Sequence, residues 1–302
     1  MKCPICQCED KPVEIARVAE PYRVLKCSQC SIEYVSPIPT DDTLTDYYSN
    51  YYLTRSCEND KHDLVSLHQA VADYLSGHSS QNEQNIKVLD YGFGEAHFLK
   101  HISSRGFQAY GYDLSEQNIQ QLQNFCRQTG EKIGVFNQFE QLTESNLQFD
   151  IITLFQVIEH LNNPNEIVQR LSELQNSNGL LYMECPNNDA LYLRPKDLIN
   201  KIIGRRKFWR SLKAPEHIFG YNGKSITLLL KKAGYRVIES GDYYYSDGIH
   251  QVESIEWWPP FYKNPKLYNP RAAIGSLIQL FDYFASKLLK RGSGLYVLAE
   301  KE

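Results

Sequence analysis

Four cysteines near the N-terminus are spaced as metal ligands. Cys3 and Cys6 form one C-x2-C pair, Cys27 and Cys30 form a second, and 20 residues separate the pairs. Two such pairs can place four thiolates around one tetrahedral Zn2+, and four protein ligands leave no open position for catalysis. The spacing therefore predicts a structural zinc ribbon. The alternatives are unmetallated buried cysteines, Cys8 as a competing ligand, and a redox pair, which would need only one C-x-x-C motif.

A glycine-rich turn is the second group of residues with chemical potential. It lies in the stretch VLDYGFGEAHFLKHI, from Val88 to Ile102. Gly92 and Gly94 allow a tight turn and close approach of the backbone to a ligand. A helix that begins near Glu95 would direct its N-terminus at that ligand.

The side chains around this turn argue against a dinucleotide ligand. The dinucleotide fingerprint G-x-G-x-x-G requires glycine or alanine where the chain has His97, and Asp90 would repel a pyrophosphate. An acid at this position suits a ligand with a cationic amino-acid part. Asp113 ends the next predicted strand, where a carboxylate can accept both hydroxyls of a ribose. A role for Asp113 as a simple helix cap is the alternative.

The elements that position these residues alternate between strand and helix patterns. The predicted strands are IKVLDY, FQAYGYD, KIGVF, FDIITLFQVI, GLLYMEC, YRVIES and GLYVLAEK. The predicted helices are EAHFLKHISSR, SEQNIQQLQNFCRQT, NPNEIVQRLSELQN and SITLLLKKAG. This alternation predicts βαβ units and a parallel sheet with helices on both faces, so the fold class is α/β with a small N-terminal zinc ribbon.

The chain divides into three parts. They are a zinc ribbon at 1–37, a helical segment at 38–85 and an α/β domain at 86–302, with insertions at 187–215 and 241–294. Insertions after sheet strands commonly form pockets and lids. Tyr47, Tyr48, Tyr51 and Tyr52 in the second part either close over the ligand cleft or pack on the core as one helix face.

Composition narrows the classes of function. Hydrophobic residues make up 42% of the chain and charged residues 23%, which is ordinary for a soluble globular protein. The net charge of −4 argues against a nucleic-acid partner. The first residues lack the apolar core of a secretory signal, and no apolar run reaches the roughly 18 residues of a membrane-spanning helix. The scattered cysteines predict a reducing, cytoplasmic location.

The two insertions suggest partners. Eight Lys and Arg residues lie between Arg194 and Lys213, against one acid. This excess predicts contact with a phosphorylated or nucleotide-linked small-molecule acceptor. Peripheral contact with an anionic membrane and a solvated basic face are the alternatives. Trp257 and Trp258 in SIEWWPPFY predict either an acceptor pocket wall or a homodimer contact.

Taken together, these motifs resemble a known family. VLDYGFG, GYDLS, FDIITLFQVIEHLNNP and GLLYMECPN, in this order and spacing, resemble the class I S-adenosylmethionine-dependent methyltransferases, most closely the ubiquinone-type and sugar methyltransferases. The resemblance covers residues 85–240. The cysteine pairs, PIPTDDTLTDYYSNYY, APEHIFGYN and AGYRVIES are similar to methyltransferases that carry a zinc ribbon. The resemblance implies a Rossmann-like seven-stranded sheet, with the segment 38–85 covering the cofactor cleft.

The resemblance also implies the residues that bind S-adenosylmethionine. Asp90, Gly92 and Gly94 would line the methionine part of the cofactor. The other implied contacts are Asp113 at the ribose, Leu114 on the adenine, Asn137 where the family often has an acid that reads the adenine amino group, and Phe155 and Gln156 facing the sulfonium. Ala96 replaces the family's third glycine, and we expect this change to be tolerated because we take the position to be helical.

Methyl transfer to a hydroxyl benefits from a general base, and imidazole has a suitable pKa. His160 in IEHLNNP and His217 in PEHIFGYN are the candidates, with a structural role as the alternative for each. Glu159 is expected to support the loop. The sequence therefore predicts O-methylation of a small molecule, a sugar or related metabolite, with C- and N-methylation still open. The alternative function is a non-catalytic, methyltransferase-like binding protein.

Overall fold

The computed structural model describes residues 2–18, 20–44, 46–47, 63–78, 82–191, 193, 212–243, 245–246, 249–250 and 292–302. Several predicted features lie outside these residues. They are Tyr48, Tyr51 and Tyr52, the basic segment from 194 to 211, and Trp257 and Trp258. Within the described part, no helix combines the length and hydropathy that crossing a bilayer requires.

The strands and helices are numbered along the chain. The strands are β1 (Val13–Arg17), β2 (Arg23–Lys26), β3 (Glu33–Ser36), β4 (Lys87–Tyr91), β5 (Gln108–Tyr112), β6 (Gly134–Phe136), β7 (Phe149–Phe155), β8 (Gln175–Pro186), β9 (Phe219–Gly220), β10 (Tyr235–Tyr243), β11 (Tyr245–Ser246), β12 (Ile249–His250) and β13 (Gly294–Lys301). The helices are α1 (Asp63–His78), α2 (His97–Ser104), α3 (Glu116–Thr129), α4 (Phe139–Glu144), α5 (Pro164–Glu173) and α6 (Gly223–Lys232), with single 3-10 turns at Glu83–Asn85 and Ile158–His160.

A seven-stranded sheet forms the centre of the molecule, in the order β10–β13–β8–β7–β4–β5–β6. The pairs among β4, β5, β6, β7 and β8 are parallel, as the alternation of strands and helices predicted. β13 is antiparallel to both β8 and β10, so the sheet is mixed at this end and parallel elsewhere. Gly294 at the start of β13 pairs with Tyr243 and with Pro186. The chain therefore leaves β10 and re-enters β13 at the same edge, and this reverses the strand direction.

The two faces of the sheet bury different apolar clusters, because successive side chains of a strand point to opposite faces. Leu89, Leu181 and Met183 belong to the cluster that includes side chains from α5 and α6. Val88 and Tyr182 belong to the cluster that includes side chains from α1, α2 and α3. Asp90 has the same parity as Val88, so its side chain lies on the face that α1, α2 and α3 cover.

Local sequence signals explain where the helices start and stop. Ser115 caps α3, and its hydroxyl accepts a hydrogen bond from the N–H of Asn118 at 3.3 Å. Gly234 follows α6 with a φ of 81°, the left-handed conformation that ends many helices.

The ribbon, residues 1–37, forms a second sheet in the order β1–β2–β3–β9. Three antiparallel strands come from the ribbon itself, and β9 comes from the segment that follows the basic insertion. Ile5, Ile32 and Val35 of the ribbon are fully buried in the same apolar cluster as Leu181 and Met183 of the central sheet. The ribbon therefore shares its core with the α/β domain.

Candidate cofactor and acceptor site

The turn after β4 needs both of its glycines. Gly92 and Gly94 have φ angles of 79° and 52°, in the left-handed region that residues with a side chain seldom adopt. A Cβ atom at Gly92 would also lie 2.6 Å from Cγ2 of Val157. The N–H of Gly92 donates to the carbonyl of Tyr112 at 2.7 Å, which fastens the turn to the end of β5. The main chain thus reaches the carboxyl edge of the sheet, where α/β proteins bind their ligands.

Ala96 does not have the helical conformation that we predicted for it. It is the N-cap of α2, with φ 59° and ψ 29°, and the helix begins at His97 instead of near Glu95. The prediction was wrong because the chain makes a left-handed turn before it enters the helix. In this conformation a Cβ atom approaches the following carbonyl oxygen, at a cost of roughly 1–2 kcal/mol. The methyl group is 2% exposed, so burial offsets part of that cost.

Two carboxylates stand at the ends of the adjacent strands β4 and β5. Asp90 accepts a hydrogen bond from the Thr153 hydroxyl at 2.8 Å. Asp113 accepts hydrogen bonds from the N–H groups of Gly94 and Ser115, each at 2.8 Å.

The environment of this pair disfavours its negative charge. Burial, together with the charge of Asp113, raises the pKa of Asp90 to about 7, although the hydrogen bond from Thr153 lowers it. Burial also raises the pKa of Asp113, against the lowering effect of its two backbone donors. An opposite charge within a few ångströms favours the ionised form of a carboxyl group. The pair is therefore suited to a ligand that carries positive charge.

Two further predicted contacts lie at the ends of β5 and β6. Leu114 is 71% exposed, more than any other large apolar residue in the described part of the chain. It directly follows Asp113 and offers an apolar surface to a flat ring. Asn137 follows β6 on the surface, and its N–H donates to Oε1 of Gln141 at 3.4 Å.

Phe155 and Gln156 lie where β7 ends. The ring of Phe155 lies 4.9 Å from that of Phe98 and 5.7 Å from that of Tyr182, measured between centroids. Gln156 has a φ of 55°, and its N–H donates to the carbonyl of Glu184 at 3.0 Å. Left-handed residues other than glycine concentrate at functional sites. Sequence reasoning missed this conformation, for which the only signal was a polar residue directly after an apolar strand.

His160 and His217 are brought together by the fold. Their ring centroids lie 4.6 Å apart, with the ring planes at 87°. Nδ1 of His160 lies 2.8 Å from the carbonyl oxygen of Glu216. A carbonyl can only accept, so Nδ1 carries the proton and Nε2 of the neutral ring holds a lone pair. Burial lowers the pKa of His160, so the ring is neutral near pH 7 and Nε2 can act as a base.

Glu159 is a buried carboxyl group beside the two histidines. Its side chain is 1% exposed, and Oε1 lies 3.9 Å from Nε2 of His160. Within the described part of the chain, neither carboxyl oxygen has a hydrogen-bond partner. Burial raises the pKa of Glu159 to about 8, so the group is largely protonated at neutral pH. One ligand-type atom from each of Glu159, His160 and His217 lies within 4.8 Å of the others, a spacing that would allow the three to coordinate one metal ion.

The predicted zinc ligands are also brought together. The sulfurs of Cys3, Cys6, Cys27 and Cys30 all lie within 4.8 Å of one another. The Cys3–Cys30 distance is 3.7 Å and the Cys6–Cys27 distance is 3.6 Å. A tetrahedral site with Zn–S bonds of about 2.3 Å has edges of about 3.8 Å, so the spacing fits zinc. The sulfur of Cys8 lies 3.5 Å from that of Cys27 but is outside the quartet.

Comparison with known proteins identifies the family. Residues 62–240, more than half of the 302-residue chain, match the family described as a methyltransferase domain. The chain belongs to this methyltransferase family. The resemblance to class I S-adenosylmethionine-dependent methyltransferases is thereby confirmed.

The chain is similar in sequence to the ubiquinone biosynthesis O-methyltransferase of Leptothrix cholodnii. The two are 27% identical over 135 residues, which cover 44% of this chain and 55% of that relative. The chain thus spans about half the length of the first curated relatives it matches.

Solved structures show the same fold. One is the Burkholderia thailandensis 1,6-didemethyltoxoflavin-N1-methyltransferase with bound 1,6-didemethyltoxoflavin and S-adenosylhomocysteine, with a TM-score of 0.53, 13% identity, and coverage of 97% of this chain and 99% of that one. Another is the magnesium protoporphyrin IX methyltransferase from Synechocystis PCC 6803 with bound S-adenosylhomocysteine, with a TM-score of 0.51, 13% identity, and coverage of 85% and 94%. The Rossmann-like methyltransferase sheet is confirmed by these similarities.

Proposed function

We propose that this methyltransferase transfers a methyl group from S-adenosylmethionine to a small-molecule acceptor. The single observation that carries the proposal is the pair of buried carboxylates, Asp90 and Asp113, around the left-handed glycine turn. The family membership supports it, and so do the two structural neighbours that contain bound S-adenosylhomocysteine. Bound S-adenosylmethionine supplies an activated methyl group on a sulfonium sulfur.

The residues at the carboxyl edge would hold this cofactor in a defined orientation. Asp113 would accept hydrogen bonds from the ribose hydroxyls, and Leu114 would cover one face of the adenine. Asn137 would lie near the adenine amino group. The turn and Asp90 would hold the methionine part, where the cationic amino-acid group lowers the cost of ionising a buried carboxyl group. Phe155 and Gln156 would face the sulfonium.

The histidine pair supports an acceptor hydroxyl. Methyl transfer is an in-line displacement, so the protein acts mainly by aligning the acceptor oxygen, the methyl carbon and the sulfur. Nε2 of His160 would take the proton of the acceptor hydroxyl, so that the oxygen could receive the methyl group from the bound cofactor. The ring of His217, 4.6 Å from that of His160, would help to stabilise the positive charge that His160 gains with the proton.

The acceptor we favour is a sugar or related metabolite that carries a hydroxyl group. The basic segment between Arg194 and Lys213 supports a phosphorylated or nucleotide-linked form. The Leptothrix cholodnii relative is a ubiquinone biosynthesis O-methyltransferase, so intermediates of ubiquinone biosynthesis are a second set of acceptors to test.

We also propose that Cys3, Cys6, Cys27 and Cys30 hold one structural Zn2+. The sulfur–sulfur distances match the edges of a zinc–thiolate tetrahedron, and four thiolates fill the coordination sphere. The metal would stabilise a ribbon that is too small to fold on its own core.

Calorimetric titration of S-adenosylmethionine into the zinc-loaded protein tests the function. Saturable binding is expected, and Asp113→Ala should weaken it more than tenfold, since hydrogen bonds to a charged group contribute about 1.5–3 kcal/mol each. Glu116→Gln, which removes an exposed charge three residues away, is the matched control and should bind like the wild type. Absence of binding would favour the non-catalytic alternative. Acceptors are then screened by mass spectrometry for the gain of one CH2.

A further inference from the structure

The ribbon sheet takes its fourth strand from the segment that carries a candidate catalytic histidine. β9 pairs with β3, with Glu33 opposite Gly220 and Tyr34 opposite Phe219. β9 begins only two residues after His217. The position of the His217 segment therefore depends on the order of β3.

A short series of hydrogen bonds continues from β3 to both histidines. The N–H of Val35 donates to the carbonyl of Ile218 at 3.0 Å, and the N–H of Ile218 donates to the carbonyl of Glu159 at 2.8 Å. His160 then donates through Nδ1 to the carbonyl of Glu216 at 2.8 Å. Ile218 thus joins the ribbon on one side to the Glu159–His160 turn on the other. The tautomer of His160 is set by the same segment.

Side chains reinforce this junction. The Asn188 amide donates to the buried Glu33 carboxylate at 2.9 Å, and the Asn222 amide donates to the carbonyl of Ser31 at 3.0 Å, next to Cys30. A Cβ atom at Gly220 would overlap the Asn188 amide, so glycine is required where β9 meets β3.

The order of β3 depends in turn on the cysteine quartet. The N–H of Cys27 bonds to the carbonyl of Ile32 at 3.0 Å, and β3 starts at Glu33. The core that the ribbon shares with the α/β domain supplies part of its folding free energy, and binding of a structural zinc would supply more.

We propose that the zinc-loaded ribbon is a positioning element for the His160–His217 pair, so that the metal site and the acceptor site are one structural unit. The catalytic meaning of the pair rests on the proposed function, whereas the coupling itself does not. Asp90 lies on the opposite face of the sheet, so removal of zinc should disorder the histidine segments and spare the cofactor residues.

Hydrogen exchange tests the coupling without any knowledge of the acceptor. In Cys30→Ser, and in wild type treated with a zinc chelator, amides at 158–160 and 216–220 should exchange at least about tenfold faster. The reason is that loss of the metal lowers the free energy of local opening of these segments. Amides at 87–91 and 108–112 should keep their protection, and restored zinc should reverse the change in wild type. Cys126→Ser in α3 is the matched control and should behave like the wild type.

A second pair of variants keeps the metal in place. Gly220→Ala should retain one zinc per chain, and the amide of Ile218 should nevertheless exchange faster. Gly223→Ala is the control, because nothing lies within 4 Å of the new methyl group. It should retain the zinc and keep the Ile218 amide protected. In nitrogen-15 spectra, His160 should change from a single Nδ1–H tautomer to a mixture in Gly220→Ala and in zinc-free protein. If Cys30→Ser fails to fold, the Gly220→Ala result decides.

Two outcomes separate the proposals. Unchanged exchange at 216–220 and an unchanged His160 tautomer in zinc-free protein would overturn the positioning role, whether or not the cofactor binds. Failure of the zinc-loaded wild type to bind S-adenosylmethionine would overturn the proposed function and leave the exchange result to decide the coupling by itself.

Discussion

The Asp113 carboxylate accepts a hydrogen bond from the main-chain N–H of Gly94 at 2.8 Å, so the end of β5 holds the turn that follows β4. The other oxygen accepts from the N–H of Ser115 at 2.8 Å, at the start of α3. One side chain thus organises the glycine turn and the first turn of a helix together.

Asp113→Asn should destabilise the protein although it preserves the size of the side chain. An amide has one acceptor oxygen, so its NH2 group must face one of the two N–H donors and leave that donor unpaired. We expect a loss of about 1–3 kcal/mol in the free energy of unfolding, measured by urea denaturation. Unchanged stability would mean that the carboxylate does not make both bonds in solution.

Ala96→Gly should cost much less stability than an ordinary alanine-to-glycine change. The variant relieves the left-handed strain of roughly 1–2 kcal/mol, which offsets the greater chain entropy of the unfolded state and the loss of a buried methyl group. Ala72→Gly in α1 is the matched control, because Ala72 is equally buried but helical. Ala72→Gly relieves no backbone strain, and the lower helix propensity of glycine reduces its free energy of unfolding by about 1 kcal/mol. Equal losses in urea denaturation would contradict the left-handed conformation of Ala96.

Glu159 should make stability depend on pH. Its pKa is raised from 4.5 to about 8 in the folded state, so the folded protein binds this proton more tightly than the unfolded chain does. The stabilisation is fully present below pH 4.5 and is lost as the pH rises towards 8. Asp90, with a pKa raised to about 7, acts in the same direction.

Glu159→Gln isolates this contribution, because the amide stays neutral at every pH. The free energy of unfolding of the variant, relative to wild type, should increase between pH 5 and pH 8.5 in urea denaturation. A constant difference across that range would show that Glu159 does not titrate with a raised pKa.

Cys6→Ser and Cys8→Ser should differ in metal content. Cys6 belongs to the sulfur quartet, so its loss should remove the zinc or weaken its binding strongly, and lower the melting temperature. Cys8 lies beside Cys27 but outside the quartet, so Cys8→Ser should still bind one zinc per chain. Metal analysis of the two purified variants measures the zinc content per chain. A zinc-loaded Cys6→Ser and a zinc-free Cys8→Ser would replace Cys6 with Cys8 as the fourth ligand.

Much of the region that we propose for the cofactor was predictable, because its shape depends on local chain geometry. A strand that ends in an acid, two glycines and a helix can form only a few turns, and Asp113 at the end of the next strand must lie beside it in a parallel sheet. Ala96 shows the limit of this reasoning. Its residue type favours a helix, but the turn that contains Gly92 and Gly94 continues to Ala96 and leaves it in the left-handed region.

By itself, the sequence determined the methyltransferase sheet, the glycine turn and the cysteine quartet. Each follows from local patterns, which are the alternation of strands and helices, the spacing of two glycines, and the spacing of the cysteine pairs. Only the tertiary structure decided that His160 and His217 meet and that β9 completes the ribbon sheet. The burial of Glu159 without a hydrogen-bond partner among the described residues was also decided by the tertiary structure. These relationships join segments that are distant in sequence. Contacts of that kind follow from which faces the whole chain buries, and no local pattern records them.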